Sequence, residues 1–129
     1  MNAMLQLRGV HTHIGAYHIL HGVDLDVPHG ECTVLLGRNG AGKTTTLRTV
    51  MGLWRASAGT IAFDGARLEA EHTADIARRG IAYVPESMAI FGDLTVRDNL
   101  LLAARGAKRE ADIDAARLQR LFGFFPALR

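Results

Sequence analysis

The run Gly37-Arg38-Asn39-Gly40-Ala41-Gly42-Lys43-Thr44 constrains this chain more than any other stretch, because of what flanks it. Before it comes the apolar segment Thr33-Val34-Leu35-Leu36, the pattern of a strand buried on both faces of a parallel sheet. After it, Lys43 to Met51 reads as a helix that Gly52 ends. A strand, a glycine-rich loop and a helix in immediate succession predict an α/β arrangement.

The loop's spacing suits a polyphosphate. A triphosphate carries several negative charges and must be wrapped closely by backbone N–H groups. Glycines at 37, 40 and 42 permit positive φ and leave no Cβ in the way. A helix opening near Lys43 aims its unsatisfied N–H groups and its positive dipole end at the same phosphates. Lys43 then places a point charge on the β- and γ-phosphates. The Thr44 hydroxyl suits Mg²⁺, and Thr45 can donate on the α-phosphate side. The candidate site is therefore Gly37, Arg38, Asn39, Gly40, Ala41, Gly42, Lys43, Thr44 and Thr45, with ATP and Mg²⁺ as its ligands.

The rest of the chain supplies short strands and helices around this loop. Met4 to Val10 alternates apolar and polar residues, and Tyr17–Leu20 and Val23–Val27 are two further strand candidates before a turn at Pro28-His29-Gly30. Thr60–Phe63 followed by Asp64-Gly65 signals a hairpin. A short helix from Thr73 to Arg79 ends at Gly80, and Ile81–Val84 reads as an apolar strand stopped by Pro85. Thr95-Val96-Arg97-Asp98 has the spacing of a capping box and opens a helix through about Ala104. A last helix is expected from Lys108 to Phe122.

Composition narrows the function classes. The net charge of the 129 residues is only +2, and the basic pairs Arg78-Arg79 and Lys108-Arg109 read as solvated helix surface, so no nucleic-acid groove is expected. The single cysteine, Cys32, excludes an intrachain disulfide and is expected to be a buried, inert thiol. Met1–Gln6 lacks a basic region followed by an apolar stretch and is not expected to be a signal peptide, and Leu100–Ala104 falls far short of the ~20 apolar residues that span a bilayer. A cytoplasmic protein, peripheral to the membrane through partners, is the expectation. His11-x-His13 with His18 and His21 lacks the spacing of a known ligand set and reads as a polar strand edge.

Beyond the loop, the sequence resembles the nucleotide-binding subunits of ABC transporters. Leu20–Glu31 is similar to that family's lead-in to the phosphate loop, and Gly59–Gly65 to its antiparallel hairpin. Ile81-Ala82-Tyr83-Val84-Pro85-Glu86 followed by Leu94–Leu100 resembles the Q-loop and the approach to the helical subdomain. The Asn-Gly-Ala-Gly-Lys-Thr-Thr wording of the loop is most similar to subunits that transport branched-chain amino acids. The resemblance implies a P-loop NTPase fold with a RecA-like core. An antiparallel β-subdomain and that core would occupy residues 1–92, with the start of a helical subdomain over 93–129.

The same resemblance assigns further roles. Lys43 and Glu86, at the Q-loop position, would be catalytic positions, with Thr44 and Glu86 near Mg²⁺. Glutamate in place of glutamine keeps an acceptor but loses the N–H donors; a cap on the turn after Pro85 is the alternative role. Ile14, before Gly15, takes the adenine-stacking position without a π-face, and Tyr17 and His13 are the nearby rings. Partners would be transmembrane permease subunits, docking near Glu86–Asn99, and a second ATP-binding subunit. The implied function is ATP hydrolysis coupled to uptake of branched-chain amino acids or a related solute such as urea.

The family's signature loop and its apolar strand ending in Asp-Glu have no counterpart in these residues, since Ile113-Asp114 falls in a charged helical stretch. The chain is therefore expected to be the truncated, N-terminal half of such a subunit. The alternative is an ATP-binding fragment without turnover; a small P-loop kinase is disfavoured because no acceptor-binding lid signature is present. A half-domain is also expected to leave apolar surface uncovered, including Phe122, Phe124 and Phe125.

Overall fold

A computed structural model describes residues 3–106 and 115–129. The chain forms two compact units, Met1–Ile76 and Ala77–Arg129. In the first, β1 (Ala3–Ile14), β2 (Tyr17–Pro28), β3 (Ala56–Phe63) and β4 (Ala66–Arg67) form one antiparallel sheet in the order β2-β1-β3-β4. Helix α1 (Lys43–Val50) lies between β2 and β3 in sequence, and α2 (Thr73–Arg78) follows β4.

Turn chemistry sets these pairings. Gly15 at φ 60° opens the two-residue connection between β1 and β2, as a type II′ hairpin requires. Asp64 at φ 46° and Gly65 at φ 79° both take positive φ between β3 and β4, the requirement of a type I′ turn. The strand expected at Met4–Val10 extends to Ile14, and the two expected at Tyr17–Leu20 and Val23–Val27 merge into one. Gly22, at φ 77°, absorbs an irregularity in the ladder that would otherwise break β2 in two.

The core sits between one face of the sheet and α1. Leu7, Val10, Leu20, Val50, Met51, Ile61, Leu68 and Ile76 are buried. Thr12 and Thr49 are also buried, and their hydroxyls bond each other at 3.0 Å, so neither polar group is left unpaired. Gly59 is where β3 crosses closest to β1: a Cβ there would lie 2.3 Å from the Gly9 carbonyl oxygen. On the sheet's edge, Glu69 accepts from the Ile61 N–H at 3.1 Å and pairs with Arg67. Loss of hydration opposes ionisation of Glu69, but the bonds from Arg67 and from backbone N–H groups prevail and hold its carboxyl below the ordinary range.

Four histidines project from the opposite face. His11 pairs across the ladder with His21, and His13 with His18. Thr12 pairs with Leu20, so Ile19 is an extra residue with no partner of its own on β1. That bulge shifts the alternation and brings His18 onto the same face as His21. The expected polar strand edge is thus a cluster of stacked rings. Reduced hydration, then repulsion from His21, His13 and His11, lowers the pKa of His18 below the usual 6.5.

The second unit contains α3 (Val96–Gly106), α4 (Ala115–Phe124) and a short 3₁₀ turn at Pro126–Leu128. Half of the capping box is formed: the Asp98 N–H donates to the Thr95 hydroxyl at 3.1 Å, while the Asp98 carboxylate accepts from that hydroxyl at 2.7 Å. The last helix runs to Phe124 rather than Phe122, while its expected start at Lys108, like Ile113-Asp114, lies outside the described residues. Phe124 and Phe125 are exposed, as expected, whereas Phe122 is half-buried.

Three expectations are corrected. Thr33–Leu36 and Ile81–Val84 are not strands among the described residues, and Val34, Leu36 and Val84 are 69%, 85% and 89% exposed. An apolar segment becomes a buried parallel strand only when ladder partners and covering layers exist, and neither segment pairs here. Cys32 follows the same logic and is exposed rather than buried.

Two outcomes test this account of the sheet. Gly59→Ala should lower unfolding stability by about 1–3 kcal/mol in urea denaturation, because backbone rather than a flexible side chain must yield. Gly92→Ala, where a Cβ meets nothing, should have little effect. Because the folded-state pKa of Glu69 is depressed, its contribution is present above the ordinary value of 4.5 and is lost as pH falls through the folded value. The melting temperature of Glu69→Gln should accordingly fall less than that of the parent on acidification below about pH 4.5.

Candidate functional site

The loop from Gly37 to Gly42 is held by its own backbone and by one side chain. The Ala41 N–H donates to the Arg38 carbonyl at 3.0 Å, closing a turn around Asn39 and Gly40. Gly40 and Gly42 take φ of 85° and 98°, conformations that residues with a Cβ rarely adopt. Gly42 is also the N-cap of α1, and a Cβ on it would lie 2.9 Å from Leu20 Cδ2. The first turn of the helix therefore rests directly on β2.

That first turn is open to a ligand. No side chain caps α1, and no acidic residue stands in its first turn. The leading N–H groups of a helix lack intrahelical acceptors, and the helix dipole adds positive potential where they point. Lys43 Nζ donates to the carbonyls of Gly37 and of Arg38, the latter at 2.8 Å, so the ammonium is held over the loop. Thr46, one turn on, donates to the Gly42 carbonyl at 2.8 Å and fixes the junction of loop and helix.

Ile19, Asn39, Gly40, Gly42, Lys43, Thr44 and Thr45 line a depression of about 300 Å³. It combines backbone N–H groups, an ammonium and two hydroxyls, a donor set that suits a polyphosphate and a hard divalent cation. Gly37, Arg38 and Ala41 shape the loop without lining this depression. Ile19 is the residue the sequence reading missed as a site member. Its only local signal was membership of a strand; the ladder bulge that makes it the unpaired residue there is a matter of pairing.

The other expected positions fall elsewhere. Ile14 is half-buried at the end of β1 opposite Tyr17, and it does not line the depression. Tyr17 is 76% exposed. His13 bonds the Ser57 hydroxyl at 2.9 Å and stacks on His18, on the sheet face away from α1. Glu86 belongs to the second unit, exposed in the stretch after Pro85 that has neither helix nor strand.

Nearby in that unit, Asn99 organises the approach to α3. Its amide accepts from the Phe91 N–H at 3.0 Å and donates to the carbonyls of Phe91 and Thr95 at 3.1 and 2.9 Å. The sequence motif contained Asn99, but its role as the tie of residues 91–95 is visible only in the structure.

Comparison with known proteins identifies the family. The ABC transporter family model matches residues 20–126, and the chain belongs to that family. It is 36% identical over 126 residues to the high-affinity branched-chain amino acid transport ATP-binding protein BraG of Pseudomonas aeruginosa, covering 98% of this chain and 53% of BraG. A ribose import ATP-binding protein of Rhizobium meliloti is 34% identical over 117 residues, 91% of this chain and 23% of that protein. Among solved structures, an ATP-binding subunit of an ABC transporter superposes with a TM-score of 0.74 at 32% identity, covering 91% of this chain and 46% of that one. The chain thus spans about half the length of BraG and of that subunit. The fold is that of part of an ABC ATPase, a P-loop NTPase, and it includes the four-stranded antiparallel sheet.

Asn99→Ala should leave α3 in place and loosen residues 91–95. Hydrogen exchange at the Phe91 amide should accelerate roughly 3–10-fold, the equivalent of one lost hydrogen bond. An unchanged rate would contradict the role of Asn99 as the tie.

Proposed function

We propose that this chain is the ATP-binding portion of an ABC importer subunit, and that the loop from Gly37 to Thr44 with Thr45 holds the triphosphate. The observation that carries this reading is the uncapped N-terminus of α1 beneath the Lys43 ammonium, two sources of positive potential converging on one depression. Lys43 would neutralise the β- and γ-phosphates, while the amides of the first turn orient them. Mg²⁺ fits the donor set of the depression, where the Thr44 hydroxyl would be its protein ligand, and it would supply charge neutralisation to the phosphates. With Ile14 at the base position, an aliphatic contact replaces ring stacking.

The finer assignment is to uptake of branched-chain amino acids or a related small solute, supported by the extent of the match to BraG. Transmembrane permease subunits and a second ATP-binding subunit are the proposed partners, at the inner face of the cell membrane. Among the described residues no helix is long and apolar enough to cross a membrane. Exposure of Met88, Ile90 and Phe91, within the proposed docking stretch Glu86–Asn99, supports a partner there. The division into a β-subdomain with core over 1–92 and a helical subdomain over 93–129 belongs to the same proposal.

A second reading is that these residues bind ATP without turnover. It is favoured by the lack, in this sequence, of an apolar strand ending in adjacent carboxylates that could orient water. Lys43→Ala should weaken ATP binding by calorimetry roughly 10–150-fold, as expected when bonds to a charged group are lost. Retained affinity would remove Lys43 from the site. Phosphate release by the purified chain separates the two readings, since sustained turnover excludes the second.

A further inference from the structure

The histidines of β1 and β2 form a cluster that the nucleotide site does not use. His11 Nδ1 and His18 Nε2 share a hydrogen bond of 2.9 Å, so one of these two nitrogens must be unprotonated. Once both rings are imidazolium, two N–H groups face each other and the bond is lost. His13 stacks on His18 with ring centres 4.1 Å apart and planes 9° from parallel, and His21 tilts against His18 at 3.9 Å. His13, His18 and His21 are exposed and His11 is half-buried.

The groups around His18 oppose a proton on it. Reduced hydration acts first, then the imidazoles of His21, His13 and His11, against a single favourable bond with the Leu20 backbone. From β3 the facing group is the uncharged Ser57 hydroxyl, bonded to His13 at 2.9 Å, and Ala56–Phe63 holds no charged residue. The other charged side chains of β1 and β2 are engaged elsewhere. Asp24 accepts from the Gly9 N–H at 2.7 Å, and Arg8 donates to Asp26 at 2.9 Å. Lys43 and Arg48 belong to α1, which packs on the opposite face of the sheet.

We propose that this cluster is a pH-sensitive clasp at the turn end of the β1–β2 hairpin, shut while its imidazoles are neutral and released as they are protonated, and that release weakens polyphosphate binding in the neighbouring depression. Three consecutive residues carry the coupling. His18 belongs to the cluster, Ile19 lines the depression, and Leu20 stands 2.9 Å from the position of a Cβ on Gly42, the N-cap of α1. Ile19 has no partner on β1, so the contacts of His18 and Leu20 on either side of it fix where it sits. The coupling rests on the depression holding a triphosphate; the clasp itself does not. Because His18 takes a proton less readily in the shut cluster than in an open chain, the clasp is whole above about pH 6.5 and its hold is lost as pH falls below that value.

Hydrogen-exchange protection of the full chain at about pH 7.5 and about pH 5.5, either side of the ordinary histidine value, tests the clasp. Protection at residues 11–13 and 18–21 should fall at least ~5-fold on acidification relative to Gln6–Leu7 and Leu25–Asp26 of the same ladder. His18→Gln keeps a hydrogen-bonding side chain that does not titrate, and it should lose most of this pH dependence. His72→Gln, outside the cluster, should keep all of it. Calorimetry with Mg²⁺-ATP should show affinity falling at least ~5-fold further in the parent than in His18→Gln over the same interval, a comparison in which the titration of ATP itself cancels. Unchanged protection in the parent, or an equal fall in His18→Gln, would overturn the clasp. Equal pH profiles of ATP affinity in the two proteins would overturn its coupling to the depression. No ATP binding by the parent at about pH 7.5 would instead remove the triphosphate reading and the coupling with it, and exchange alone then decides the clasp. Should His18→Gln lose its circular dichroism, His13→Phe takes its place, since it keeps a ring against His18 without a titrating nitrogen. With one repelling charge fewer, the loss of protection should move to lower pH, and an unmoved midpoint would overturn the proposal.

Discussion

The close seat of α1 on β2, at Gly42, is the contact on which the first unit depends. A helix end can approach a strand this closely only where no Cβ intervenes, and Gly42 has Leu20 at 2.9 Å from the position a Cβ would take. The same residue must take φ of 98° to turn the loop into the helix. One glycine thus joins the packing of the core, through Leu20, to the presentation of the helix N–H groups, through the cap. The threonine pair Thr12–Thr49 secures the helix further along, with both hydroxyls satisfied in a buried place.

From that contact the site's chemistry follows with few additional parts. A phosphate held at this loop would need no side chain for its recognition, because backbone amides and a helix terminus provide the donors. Among the described residues, Lys43 adds the one formal positive charge that lines the depression, and it is already oriented by the carbonyls of Gly37 and Arg38. Membership of the ABC transporter family gives this geometry its context. The chain spans about half the length of BraG.

The sheet has two faces with different chemistry. One is apolar and threonine-lined, packed on α1; the other carries four imidazoles from two strands. The ladder irregularities at Gly9, Gly22 and Ile19 decide which residue falls on which face, since each extra residue reverses the alternation beyond it. A strand of strict alternation through Tyr17–Pro28 would have divided the histidines between core and solvent.

The phosphate loop, its glycines and the helix after it were legible in the sequence because their causes are local. Positive φ, a missing Cβ and an uncapped helix start are properties of consecutive residues, and so are the Asp64-Gly65 turn and the Thr95–Asp98 cap. What only the tertiary structure decided are features that depend on distant pairing. Ile19 enters the site and His18 joins the cluster through a bulge defined against β1. Val34, Leu36 and Val84 have the composition of buried strands, yet they are exposed because burial requires partners that composition cannot supply. Local chemistry made the loop; long-range register decided what surrounds it.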